Sequence, residues 1–313
     1  MNRILYFDFA KVICMFWVTA ILHLLQYLGD DWFLYIYPWG YNLTWATLGT
    51  FSLIAGFFMG GKECSSLQDV WLFYKKRIVR FYPLFVLSTI LLFSINFITL
   101  RQSFYALTGL SPFIPNQPRT LWYISMMVVL YFISPFVLNN KRIVVSVVIM
   151  SILLIYRKIF WLDDRFVYNC FLYLTGICIA SYKDFLLKYI SNSKLTCLHT
   201  LLYIIVLISS YWISNNIYHQ ITSVLVVIFI LCISSYASKF CNEKVLLWLS
   251  YTSMSCYLFH RFIYDICLRI YMPDNSFIKV IYLFVIGFSC CLIFAYLVQK
   301  LYDYTCTLIK YKH

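Results

Sequence analysis

Two hydrophobic segments of this sequence contain ionisable side chains that could do chemistry. The run from Leu5 to Leu28 contains Asp8, Lys11 and His23, and a later apolar run contains His260. Charge inside such a run is unfavourable and commonly marks a functional site. A neutral histidine, with an unperturbed pKa of about 6.5, can accept the proton of a hydroxyl group, and a nearby cation can stabilise a developing oxyanion. These residues therefore suit general acid–base chemistry at a hydroxyl group, with a cation beside the reacting oxygen.

Composition places these segments in a membrane protein. The 313 residues are 63% hydrophobic and only 12% charged, whereas soluble domains are about 45–50% apolar and about 25% charged. The net charge of +13 could suggest nucleic acid, but lysine and arginine also anchor cytoplasmic loops against anionic lipid. No polar stretch is long enough to fold as a nucleic-acid-binding domain. We expect one all-α membrane domain over residues 1–313, without a fused soluble domain.

Segments of membrane-spanning length predict about ten transmembrane helices. Their approximate limits are 6–28, 43–61, 82–100, 120–138, 142–157, 166–182, 198–214, 218–237, 246–270 and 277–300. We expect the first segment to remain as a helix, because it is longer than the apolar core of a signal peptide and no A-x-A site follows it. Most of the 25 basic residues fall in alternate connections, so the positive-inside rule predicts that both termini are cytoplasmic.

The twelve cysteines and three of the histidines carry no recognisable site pattern. The cysteines are scattered, mostly in apolar runs, and form no C-x-x-C pair, so neither a metal site nor a disulfide framework is predicted. His199, His219 and His313 lie at segment ends or at the terminus, and we expect no catalytic role for them.

Basic residues cluster just before the third hydrophobic segment. In the stretch WLFYKKRIVRFYPLF, Lys76, Arg77 and Arg80 precede Tyr82, and residues three or four positions apart share one face of a helix. Ammonium and guanidinium groups on one face suit phosphate, which arginine can bind through two parallel hydrogen bonds. From the residues alone, anchoring to lipid headgroups explains the cluster equally well.

Six segments, in chain order, resemble the membrane-bound acyltransferase-3 family. They are the Asp8–Lys11–His23 pattern, FSLIAGFF with Gly56 and Phe57, KKRIVRFYP, LWY with Trp122, the helix around Gly176, and SYTSMSCYLFH with Ser250, Tyr257 and His260. One departure is Ala55, where relatives have serine. No single motif is decisive, but their ordered combination is fairly specific.

The resemblance implies an integral-membrane O-acyltransferase of the bacterial cytoplasmic (inner) membrane. Such enzymes take an acyl group, usually acetyl, from acetyl-CoA on the cytoplasmic side and place it on a hydroxyl of a surface polysaccharide or lipid-linked glycan. The expected partners are therefore membrane lipid, acyl-CoA as donor co-substrate and a glycan acceptor, with no bound cofactor.

The resemblance also implies residue roles. It assigns His23, Lys11 and Asp8 to catalysis, and Lys76, Arg77, Arg80 and Tyr82 to the donor. Trp122, Tyr257 and His260 are expected at the acceptor or its cavity, where a tryptophan face could stack on a sugar ring. The alternatives are that Trp122 belongs to the aromatic belt at the membrane surface and that His260 hydrogen-bonds a neighbouring helix. Gly176 is expected to serve helix packing.

The spacing between Lys11 and His23 departs from that family. Relatives place ten residues between the cation, usually arginine, and the histidine, whereas eleven intervene here. In a regular helix this spacing rotates the two side chains about 120° apart. A π-helical stretch would absorb the extra residue; alternatively, Lys11 pairs only with Asp8, three residues before it.

Two other classes of protein remain open from the sequence. A multi-span transporter or flippase for a glycan or lipid would also contain buried charges, although it would more often show internal repeats and broken helices. A purely structural partner of a polysaccharide assembly complex would have no need for ionisable residues within apolar runs. Transfer of label from acetyl-CoA to extracted glycan separates the enzyme from both.

The predicted topology can be tested by cysteine accessibility. On a cysteine-free background, a cysteine at position 116 should react only with reagent added outside, and one at position 192 only with reagent inside, because an odd number of predicted spans separates them. Labelling of both positions from the same side would contradict the predicted span count.

Overall fold

The computed structural model describes residues 4–29, 39–118, 120–138, 141–213 and 215–310. All regular secondary structure within these ranges is helical. The helices are α1 (Leu5–Leu28), α2 (Trp39–Gly60), α3 (Leu67–Ser94), α4 (Leu100–Leu107), α5 (Leu121–Val137), α6 (Arg142–Ile159), α7 (Asp164–Ile179), α8 (Lys183–Ile190), α9 (Ser193–Ser209), α10 (Asn216–Ala237), α11 (Glu243–Ile270) and α12 (276–310).

Six helical segments within the described ranges are long and apolar enough to cross a membrane. They are Leu5–Leu28, Gly40–Gly60, Leu67–Ser94, Asp164–Ile190, Tyr218–Phe240 and Ser276–Leu308. The helices α5 and α9 are apolar but shorter. The all-α membrane class is therefore confirmed, while the count of about ten spans stays a prediction. Met1 and His313, on which the predicted position of the termini depends, lie outside the described residues.

The third helix begins earlier than its hydrophobic segment does. It starts at Leu67, where Ser66 and Asp69 form a reciprocal capping box, and continues to Ser94. Such a cap satisfies backbone N–H groups that have no partner in the first turn. Consequently the basic cluster lies within α3 and not in a loop before it.

The first helix contains the π-helical stretch that the Lys11–His23 spacing predicted. It covers Trp17–Leu22, and the backbone N–H of His23 donates to the carbonyl of Val18, five residues earlier. The displaced carbonyl of Thr19 accepts a hydrogen bond of 3.1 Å from the Tyr264 hydroxyl on α11. The wider turn is thus stabilised by the neighbouring helix, and of the two alternatives that the spacing left open, the π-helical stretch is present.

The centre of the bundle depends on close contact between α2 and α7. A Cβ atom added at Gly56 would lie 2.0 Å from the carbonyl oxygen of Tyr173, and one at Gly176 would lie 2.3 Å from that of Leu53. Only glycine permits this approach of two backbones. The packing role expected for Gly176 is therefore confirmed. On the other side of α2, α1 packs against α2, α10 and α11.

Replacing Gly176 with alanine should destabilise the fold. The added methyl group meets backbone atoms that cannot move independently, and overpacking of this kind costs about 1–3 kcal/mol. Thermal unfolding of the detergent-solubilised protein measures the loss. Gly287→Ala is the matched control, since its Cβ would meet only side-chain atoms, the nearest 3.1 Å away. Equal melting temperatures for the two variants would contradict the proposed role of the α2–α7 contact.

Candidate active site

A polar cavity of about 490 Å³ lies between α1, α2, α5, α7 and α11. Its lining includes His23, Gln26, Thr44, Trp45, Gln117, Trp122, Arg165, Asn169, Tyr257 and Arg261. The end of α1 and the beginnings of α2, α5 and α7 all contribute to it. The charge distribution predicts this end of the bundle to face away from the cytoplasm.

Two histidines meet at the wall of this cavity. Nδ1 of His23 and Nε2 of His260 are 2.6 Å apart. The ring planes differ by 9°, and the ring centroids are 4.8 Å apart. The centroid separation equals the nitrogen–nitrogen distance plus the radius of each ring. The rings therefore meet end to end through a hydrogen bond and are not stacked face to face.

The contacts of His260 indicate which nitrogen of His23 can act as a base. Nδ1 of His260 lies 2.8 Å from the carbonyl oxygen of Tyr257, which can only accept, so this nitrogen carries the proton. When both rings are neutral, Nε2 of His260 must then accept from the Nδ1–H of His23. The lone pair of His23 is left on Nε2. The order of hydrogen bonds leaves the cavity-lining histidine as the one whose free lone pair could accept a proton, with His260 holding its other nitrogen.

Arg261 is a cavity residue that the sequence analysis did not assign to the site. It is only 4% exposed. One guanidinium nitrogen lies 3.4 Å from the carbonyl oxygen of His23, and another donates to Oε1 of Gln26. An arginine directly after His260 in an apolar run was the available signal, by the same rule that singled out the histidine. The structure places a cation beside the histidine pair.

A second arginine is held against Trp122. The guanidinium carbon of Arg165 lies 4.0 Å from the ring centroid of Trp122, and its guanidinium donates to both carboxylate oxygens of Asp163 and to Oε1 of Gln117. Trp122 does line the cavity, but one of its faces is covered by this cation. Trp45, which the sequence analysis did not select, lines the same cavity and offers another indole ring to an acceptor.

Tyr257 closes the cavity wall next to a strained residue. Its hydroxyl donates to the carbonyl of Thr120 over 2.7 Å, and its ring packs 5.8 Å from that of Tyr123. Thr120 has φ of +69°, which is rare for a β-branched residue and tends to occur near functional sites. The hydrogen bond from Tyr257 helps to hold this conformation.

Asp8 and Lys11 lie at a different depth from the histidines. Nζ of Lys11 donates to Oδ1 of Asp8 over 2.7 Å, and the hydroxyl of Ser250 donates to the same oxygen over 2.6 Å. Ser250 and His260 are ten residues apart on α11, about 15 Å at 1.5 Å per residue. Neither Asp8 nor Lys11 lines the cavity. The helix α1 thus contains both the π-helical stretch and the ion pair of Asp8 with Lys11, which the sequence offered as alternatives.

The basic cluster lies at the opposite end of the bundle from the cavity. Lys76 and Arg80 are exposed, whereas Arg77 is half-buried. The guanidinium carbon of Arg77 is 5.7 Å from the ring centroids of both Phe73 and Tyr131. Its Nε is buried and has no hydrogen-bond partner among the described residues. Arg77 is therefore fixed by aromatic rings with part of its donor capacity unused.

Tyr82, assigned to the donor with these residues, contacts another part of the bundle. Its hydroxyl donates to the carbonyl of Leu107 over 3.0 Å, which joins α3 to the end of α4. Its ring lies 6.1 Å from that of Phe85. Tyr82 thus helps to fix the helix that presents the basic cluster.

The helix α5 connects the two sites. Trp122 lies in the cavity and Tyr131 lies beneath Arg77, nine residues or about 14 Å farther along the helix. Packed tyrosines fill the space between, since Tyr123 contacts Tyr257 and Tyr131 contacts Tyr173, with ring centroids 6.3 Å apart in the second pair. A group bound at the basic cluster reaches the histidines only if these side chains move.

Comparison with known proteins agrees with these features. The sequence model of the acyltransferase-3 family, described as an acyltransferase domain, matches residues 4–300. No curated protein and no solved structure gives a significant match. Because the match covers nearly all of the sequence, including both histidines, the cavity and the basic cluster, the chain belongs to the acyltransferase-3 family of membrane proteins.

Proposed function

We propose that this protein is a membrane O-acyltransferase. It transfers an acyl group, most simply acetyl, from acyl-CoA bound at the basic cluster to a hydroxyl of a glycan bound in the cavity. The observation that carries this proposal is the end-on pair of His23 and His260 at the wall of a polar, aromatic cavity. The family match supports acyl transfer as the class of reaction.

His23 acts as the general base in this mechanism. Its Nε2 takes the proton of the acceptor hydroxyl while the hydroxyl oxygen attacks the thioester carbonyl. The new C–O bond forms a tetrahedral intermediate, which collapses by breaking the C–S bond. The departing thiolate then recovers the proton from His23. His260 keeps the reactive tautomer of His23 in place through the 2.6 Å hydrogen bond.

Arg261 stabilises the charge that this attack creates. The tetrahedral intermediate bears a negative oxygen, and Arg261 is a buried cation within 3.4 Å of the backbone of His23. In a site shielded from water, a preorganised positive charge lowers the barrier more effectively than in solution.

The cavity wall suits a carbohydrate acceptor. The faces of Trp45 and Tyr257 offer apolar surfaces to the CH groups of a sugar ring, and Gln26, Gln117 and Asn169 offer amide groups to its hydroxyls. Such a mixture of aromatic faces and polar groups is typical of ligand pockets. An acceptor bound in this cavity would lie at the end that the charge distribution predicts to face away from the cytoplasm.

The donor binds at the other end of the bundle through phosphate contacts. Lys76, Arg77 and Arg80 supply positive charge, with the unused Nε of Arg77 as one donor, while Tyr82 fixes their helix. The extended arm of the acyl-CoA carries the acyl group past the segment of α5 from Tyr131 to Trp122, which is about 14 Å long. Movement of Tyr123 and Tyr131 admits that arm to the histidine pair.

Asp8 and Lys11 contribute to catalysis from the donor side. Asp8 accepts a hydrogen bond from Ser250 on α11, and Ser250 lies about 15 Å from His260 along that helix. We assign Asp8 and Lys11 an electrostatic role near the acyl-CoA and not contact with the acceptor hydroxyl. Lys11→Ala should therefore reduce the rate without abolishing it.

Removal of the base should abolish transfer. His23→Ala should lower the rate by about 10²–10⁴-fold, the usual contribution of a general base, and His260→Ala should lower it less, because His23 remains but is no longer held in one tautomer. The measurement uses labelled acetyl-CoA and purified protein in membranes with the glycan acceptor, and label is counted on extracted glycan. His199→Ala, which removes a buried histidine from another helix, is the control.

Two results would contradict this mechanism. One is transfer at the normal rate by a correctly inserted His23→Ala protein. The other is movement of glycan across the membrane without any covalent label, which would favour a transporter.

The donor site is tested separately by binding. Arg77→Ala should weaken coenzyme A binding about 10–100-fold, since a charge-assisted hydrogen bond contributes roughly 1.5–3 kcal/mol. Arg80→Ala should act in the same direction. Arg77→Lys should recover only part of the affinity, because lysine keeps the charge and loses the planar fork. Lys75→Ala, which changes an exposed residue of the same helix, serves as control. Unchanged coenzyme A binding in both arginine variants would mean that the cluster only anchors the protein to the membrane.

A further inference from the structure

A fourth cation, Lys62, faces the basic cluster from the loop between α2 and α3. This loop has a defined position, because Arg142 on α6 donates to the carbonyls of Gly60 and Lys62 over 2.5 and 3.2 Å. The backbone N–H of Cys64 also donates to the carbonyl of Leu138 over 3.2 Å. Lys62 is thus presented by a loop that is attached to two other helices.

The side chain of Lys62 shares an aromatic ring with Arg77. Its Nζ lies 5.8 Å from the ring centroid of Phe73, and the guanidinium carbon of Arg77 lies 5.7 Å from the same centroid. One ring therefore attracts two cations. The carboxylate of Asp69, in the first turn of α3, accepts hydrogen bonds from the hydroxyls of Ser65 and Ser66.

The charge state of Lys62 reflects this crowding. Partial burial of its ammonium, followed by the positive charges of Arg77, Lys76 and Arg80, lowers its pKa to about 8. Other charged or titratable groups near it are Glu63 and Cys64 in the same loop and Arg142 on α6. Like charges held this close favour an anion between them.

We propose that Lys62 is a further phosphate-binding residue of the donor site, which reaches from the α2–α3 loop to the phosphates that Lys76, Arg77 and Arg80 hold. This inference rests on the proposed donor site. Its ligand chemistry is phosphate groups, which both coenzyme A and lipid headgroups carry, and we assign them to coenzyme A. The four cations come from two separate elements, so they can surround a polyphosphate from two sides.

Binding should then be linked to uptake of a proton. A bound phosphate raises the pKa of Lys62 above its value of about 8 in the free protein. The contribution of Lys62 to affinity is fully present below pH 8 and is lost as pH rises through the pKa of the bound state. Coenzyme A should therefore bind progressively more weakly above about pH 8.

The test is calorimetric binding of coenzyme A to the full chain in nanodiscs of zwitterionic lipid, from about pH 6.5 to 9, in buffers of different ionisation enthalpy. The wild type should take up a proton near pH 8. Lys62→Met should bind about 10-fold more weakly at pH 7 and show no uptake. Lys62→Arg should bind well at every pH, because its guanidinium stays charged. Lys75→Met is the matched control, and pantetheine, which lacks the phosphates, should not distinguish Lys62→Met from the wild type.

Each other outcome overturns one identifiable claim. If Lys62→Met binds normally while Arg77→Ala does not, Lys62 is outside the donor site and the proposed function stands. If neither change affects binding, the donor site itself is wrong. If Lys62→Met alters coenzyme A binding only in nanodiscs that contain anionic lipid, Lys62 binds lipid headgroups instead.

Discussion

The hydrogen bond between His23 and His260 is the interaction on which the rest of the site depends. It joins two helices within the apolar part of the bundle, where an unpaired polar nitrogen is unfavourable. It requires the π-helical stretch of α1, which brings His23 towards α11, and the hydroxyl of Tyr264, which satisfies the carbonyl that this stretch leaves free. The carbonyl of Tyr257 then sets the protonation of both rings.

Positive charge is distributed over the two ends of the bundle with different surroundings. At the cavity, Arg165 forms an ion pair with Asp163 and packs on the ring of Trp122. Its role there is to form part of the cavity wall. At the opposite end, Arg77 lies on Phe73 and Tyr131 with Nε unpartnered among the described residues. The guanidinium of Arg165 is already paired with a carboxylate, whereas that of Arg77 can still bind an anion.

The backbone contact between α2 and α7 fixes the position of these two ends relative to each other. Gly56 and Gly176 bring the helices so close that a methyl group on either would meet backbone. From these helices project Ser52 and Asn169, which are joined by a 2.8 Å hydrogen bond next to the cavity. This close contact therefore fixes the position of the cavity relative to the basic cluster, and the tyrosines along α5 lie between the two.

Local properties of the sequence were sufficient for much of this description. Hydropathy determined the all-α membrane class, and the residue count between Lys11 and His23 indicated a π-helical stretch as one of two alternatives. The i, i+4 spacing of Asp265 and Arg269 likewise brings their side chains to one helix face, where they form an ion pair of 2.6 Å. Each of these follows from the period of a single helix. Only the tertiary structure decided that His23 meets His260, that Arg261 joins them, that Arg165 covers Trp122 and that Lys62 faces Arg77. These contacts depend on which faces of distant helices pack together, and helical period alone does not specify that.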